Sequence, residues 1–76
     1  MLRMEGISNT NGIISCLLFP EDSKEGCNLE YDMKTGRREC VLPKGYEHCK
    51  MHIAVACAYL EKNQAALPES KELMWY

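Results

Sequence analysis

The 76-residue chain has no C-x-x-C pair, no glycine-rich phosphate loop, no long apolar run and no surplus of positive charge. Each absence removes a class of function. Without C-x-x-C, the motif that thiol–disulfide oxidoreductases need is missing. Gly26, Gly36 and Gly45 stand isolated as turn residues, so no run of backbone amides can cradle a phosphate. The longest apolar run, Ile13 to Phe19, contains Ser15 and ends at Pro20. That is far short of the roughly 20 residues needed to span a bilayer. Met1 to Gly6 holds no apolar stretch of signal-peptide length, so the expected setting is the cytoplasm, with no membrane contact. Nine Lys and Arg against eleven Asp and Glu give a net charge of −2, the wrong sign for a general nucleic-acid binder.

Catalytic arrangements are also missing. Carboxylates are scattered on polar faces rather than paired, and Cys49 and His52 share one helix with no evident cleft. No enzyme and no cofactor are expected.

What remains is one small domain. The chain is 46% apolar, enough to fold. A chain of this size nevertheless buries only about 60% of its unfolded surface, so its core is marginal. The five cysteines, Cys16, Cys27, Cys40, Cys49 and Cys57, are odd in number and carry no secretion signal. They read as reduced thiols acting as small core residues.

Residues 2–8 are a candidate strand, followed by the turn cluster Asn9-Thr10-Asn11-Gly12. Ile13 to Phe19 is near-continuously apolar and reads as a strand buried on both faces or central in a sheet. Cys27, Leu29 and Tyr31 alternate with Asn28, Glu30 and Asp32, the period of a half-buried strand. A four-residue turn pairing Asp32 with Arg37 places Leu29 opposite Cys40 and Cys27 opposite Leu42, making a hairpin. Pro43-Lys44-Gly45 leads into a helix over Tyr46 to Ala65 whose core stripe is Cys49, Ile53, Ala56, Leu60 and Leu67. Residues 71–76 form a terminal strand. The expected fold class is α+β: an antiparallel β-meander of about four to five strands with one helix packed on one face, in the order β(β)ββαβ.

Several segments resemble a family of small bacterial proteins associated with mobile genetic elements. They are the strand end Leu18-Phe19-Pro20-Glu21, the hairpin Leu29 to Gly36, the break Leu42-Pro43-Lys44-Gly45-Tyr46, and the ending Leu67-Pro68 with Met74-Trp75-Tyr76. The resemblance implies a bacterial origin and supports the element order. It implies no activity.

Four functional candidates follow from the residues. His48 and His52 at i, i+4, with Cys49 and Cys40, contain elements of a zinc site. Cys49, however, belongs to the core stripe, and helix-edge histidines are the favoured reading. His48, His52, Val55 and Tyr59 form an apolar shoulder that either packs on the N-terminal segment or self-associates. An unpaired edge of strand 13–19 or 71–76 could pair with another chain. Finally Lys34, Arg37, Arg38 and Lys44 lie within a locally basic stretch, residues 34–50, that could meet nucleic-acid phosphates. No aromatic residues are interleaved with them for base stacking. A protein partner or homodimer is therefore expected before nucleic acid.

Overall fold

A computed structural model of the chain describes residues 1–74. Five strands and one helix follow in the order β1 (Leu2–Thr10), β2 (Ile13–Pro20), β3 (Cys27–Asp32), β4 (Arg38–Cys40), α1 (Lys50–Lys62) and β5 (Lys71–Leu73). They make one antiparallel sheet, ordered β4-β3-β2-β1-β5, with the helix on one face. The expected α+β class and element order are observed.

β1 and β2 form a hairpin whose two-residue loop is Asn11-Gly12, both at positive φ (54° and 87°). Asn-Gly is the pair that tolerates such a turn between twisted strands. The turn is thus tighter than the expected cluster of four residues, and β1 runs to Thr10 rather than residue 8. A bulge interrupts this ladder. Glu5 faces Leu17 and Ser8 faces Ser15, so β1 carries one extra residue. Gly6 supplies it at φ +62°, which side-chain-bearing residues resist. The extra residue turns Ile7 back to the side of Leu2 and Met4, and all three are buried.

The β3–β4 hairpin has the expected four-residue turn and register. Asp32 N–H donates to Arg37 O at 2.8 Å, and Leu29 stands opposite Cys40. Asp32 Oδ1 accepts the amide of Lys34 at 2.9 Å. The ladder ends at Cys40, so the expected pairing of Cys27 with Leu42 does not form.

The helix is shorter than the expected span from Tyr46 to Ala65. Tyr46 N–H donates to Pro43 O and Cys49 N–H to Tyr46 O, three-residue spacings that make turns rather than α-helix. At the far end Asn63 closes the helix, its backbone and side-chain N–H groups both donating to Tyr59 O.

The core lies between helix and sheet. Leu2, Met4, Ile14, Leu18, Leu29 and Leu60 are fully buried, with Cys16, Ala56 and Cys57 among them. Burying each large aliphatic side chain is worth about 1.5–3 kcal/mol. Strand β2 is central, as one form of the expectation had it, but it is not buried on both faces. Ile14, Cys16 and Leu18 lie under the helix, whereas Ile13 and Leu17 on the other face are 45% and 38% exposed. Strand β1 pairs along β2, so residues 13–19 offer no free edge. Trp75 and Tyr76, placed by expectation in the terminal strand, lie outside the described residues.

Candidate functional site: the open face of the sheet

The alternation of the strands places every second residue on the face opposite α1. Down the middle runs a mostly apolar line from β2, comprising Ile13, Leu17 and the half-buried Phe19 and broken by Ser15, whose hydroxyl lies 3.1 Å from that of Ser8. Phe19 is held from two sides. The Arg3 guanidinium carbon lies 4.3 Å from its ring centroid, within cation–π range. A Cβ added at Gly26 would fall 2.8 Å from the ring. Thus Gly26 is small because the ring rests against it.

Acidic groups flank this line. Ladder partners put Glu5, Glu30, Asp32, Glu39 and Glu72 on the open face, against Arg3 and Arg37. Both arginines are already engaged, Arg3 with Glu5 and Arg37 with Glu39 at 3.0 Å. The residual charge is therefore negative. Glu30 and Glu39 stand directly opposite each other on adjacent strands, a placement of like charges that costs stability. With Ile13, Asp32 and Arg37 they line a shallow depression of about 140 Å³.

The residues singled out from the sequence are placed differently. His52 is buried, with Nε2 3.1 Å from Glu21 Oε1. His48 is exposed and stacks on Tyr46, ring centroids 6.4 Å apart. Cys49 is 2% exposed in the core, and Cys40 contacts Cys27 with sulfurs 3.4 Å apart. Among the described residues no group of three or more His, Cys, Asp and Glu is placed to hold a metal ion. The shoulder of His48, His52, Val55 and Tyr59 is likewise not one surface. His52 turns inward, Tyr59 is half-buried and packs on the core, and Lys71 Nζ sits 6.0 Å from the Tyr59 ring centroid. The basic candidates divide as well. Arg37 pairs with Glu39 on the open face. Its neighbour Arg38 turns to the helix side, its guanidinium carbon 5.3 Å from the Tyr31 ring centroid. Lys34 is in the hairpin turn and Lys44 is in the loop before the helix.

The open face was hard to read in the sequence because Ser15 is the one polar residue in Ile13 to Phe19. Ser15 and the neighbouring strands, where Glu5, Asn28 and Glu30 share its phase, are the signals that could have revealed it. No helix among the described residues is long and apolar enough to cross a membrane. No family model, curated protein or solved structure matches the chain.

Proposed function

We propose that the chain is a non-enzymatic protein-interaction module, acting in the cytoplasm, whose partner seats on the open face of the sheet. The partner presents apolar side chains to Ile13, Leu17 and Phe19 and basic groups to the carboxylates around them. One observation carries this reading: an apolar line, exposed at Ile13 and Leu17, is bordered by five carboxylates and only two guanidinium groups. A border whose net charge is of one sign favours a partner of opposite sign and disfavours others.

The same sign argues against a second copy on this face. A two-fold contact sets this face against its own copy, so a net negative surface would meet a net negative surface. A different, basic chain avoids this. The net negative border also ranks protein above nucleic acid, since Arg37 and Arg38 project to opposite faces and Arg37 is committed to Glu39.

The test uses two synthetic peptides of one apolar pattern, one with lysines and one with glutamates at the polar positions. Amide shifts of the isotopically labelled chain are followed as each is added. The lysine peptide is expected to perturb residues 13–19 and 28–30, and salt is expected to weaken it. The glutamate peptide is expected to leave the spectrum unchanged. Perturbation confined to α1, or equal response to both peptides, would overturn the proposal.

A further inference from the structure

Cys27 and Cys40 sit on adjacent strands with their sulfurs 3.4 Å apart. The register explains the meeting. Leu29 stands opposite Cys40, so Cys27 is its diagonal neighbour, one pleat toward the end of the ladder. Cys40 is the last residue of the three-residue edge strand β4, and Val41 beyond it is 87% exposed. A disulfide needs its sulfurs about 2.05 Å apart, so closure asks for a movement of roughly 1.4 Å. The end of a short edge strand, held on one side only, can yield by that much. Cys40 is also the one half-exposed thiol of the five; the other four are buried. Cys40, with Arg38, Leu42 and Ile53, lines an open depression on the helix side of the sheet, so a small reagent meets Cys40 from solvent.

From this geometry we infer that Cys27 and Cys40 form a modification site for reversible thiol–disulfide exchange with low-molecular-weight disulfides. Cys40, as thiolate, attacks one sulfur of the reagent and displaces the first small thiol, which leaves a mixed disulfide on Cys40. Cys27, as thiolate, attacks the Cys40 sulfur and displaces the second. Two protein thiols are oxidised to one disulfide, the reagent is reduced to two thiols, and the two protein protons end on those thiols. Burial, reinforced by the contact with Cys27, pushes the Cys40 thiol up to about 12. The thiolate is therefore scarce near neutrality, and exchange quickens as pH rises. The bond joins edge strand β4 to β3 and fixes the wall of the depression that Cys40 and Leu42 form with Ile53 of α1.

The test incubates the reduced, folded chain with oxidised glutathione, quenches by alkylation and maps peptides without reduction. The expected product has lost two hydrogens, carries a single link between Cys27 and Cys40, and returns to the starting mass with dithiothreitol. The double variant Cys16→Ser, Cys57→Ser is expected to form the same link. Cys27→Ser is expected to stop at a glutathione adduct on Cys40. A persistent adduct on Cys40 in the native chain would overturn the inference. So would a link to any other cysteine, or intact thiols under conditions that oxidise the same chain unfolded in denaturant. The mapping of the native chain decides the matter even where a variant folds poorly.

Discussion

His52 Nε2 lies 3.1 Å from Glu21 Oε1, and Glu21 Oε2 lies 3.2 Å from the Met1 amino group. One carboxylate thus ties the first turn of α1 to the loop after β2 and to the start of β1. Glu21 N–H donates to Met1 O at 2.8 Å as well. Glu21 does this from φ +52°, a region that costs a non-glycine residue free energy. Glu21→Ala is expected to lower stability by about 1–2 kcal/mol, toward the lower end of the roughly 1.5–3 kcal/mol scale of hydrogen bonds to a charged group because the carboxylate is partly exposed. Glu21→Gly loses the same contacts but releases the backbone, so it is expected to cost less. Urea unfolding of both variants, with His52→Ala and the double variant for a coupling energy, checks this. Equal losses for Ala and Gly would exclude strain at this position.

Leu17 and Leu18 are neighbours in sequence and opposites in role. Leu18 is fully buried under the helix, and Leu17 is 38% exposed on the open face. Leu18→Ala is expected to cost about 2–5 kcal/mol by cavity formation. Leu17→Ala is expected to shift the unfolding midpoint little, yet to abolish the response to the lysine peptide. A large stability loss at Leu17 would mean that the open face is covered by the chain itself.

Much of the fold was legible. The turn Asp32 to Arg37 and its register followed from the alternation of Cys27, Leu29 and Tyr31, because one buried face fixes the pairing. The helix start was misplaced because the apolar stripe runs back through Cys49 to Tyr46 with no breaker after Gly45, whereas no side chain caps the helix at Cys49. Three-residue turns take up the difference. The site was less legible. The diagonal meeting of Cys27 and Cys40 followed from the expected register, whereas Glu21 and His52 are 31 residues apart. The Glu21–His52 contact is set by tertiary packing and leaves no local spacing to read.

Gly6 and Gly26 are glycines for different reasons. Gly6 sits at φ +62° with nothing within 4 Å of an added Cβ. Gly6→Ala is therefore expected to cost about 1–2 kcal/mol in backbone conformation alone, and Gly6→Asn less, since Asn tolerates this region. Gly26→Ala meets the Phe19 ring instead. It is expected to move Phe19 and so disturb peptide binding on the open face. Denaturant unfolding and the aromatic shifts of Phe19 separate the two mechanisms. A Gly6→Asn as costly as Gly6→Ala would count against the conformational account.

Glu47 Oε2 accepts the Gly45 N–H at 3.0 Å. The backbone N–H groups of Glu47 itself and of Gly45 hold its carboxyl below the usual value of 4.5. With the folded value below the unfolded one, acidification protonates the unfolded chain first. The stabilisation is thus complete above 4.5 and is lost as pH falls through the folded value. Wild type is expected to melt above Glu47→Gln near neutral pH, and the gap is expected to close as the solution is acidified. A gap that stays constant from neutral to strongly acidic pH would show that the charge contributes nothing.

Glu30 supplies the sharpest separation of stability from binding. It faces Glu39 across the β3–β4 ladder on the open side, while Glu39 is also bonded to Arg37. Removing one charge of an opposed pair relieves a cost on the scale of about 0.2–1 kcal/mol. Glu30→Gln is therefore expected to raise the urea midpoint slightly at low salt, with the gain shrinking as salt screens the pair. The same change removes a carboxylate from the border of the apolar line, so the lysine peptide is expected to bind more weakly. Opposite movements of stability and affinity in one variant are what a charge kept for a basic partner requires. A variant that gains stability and keeps full affinity would place Glu30 outside the interface.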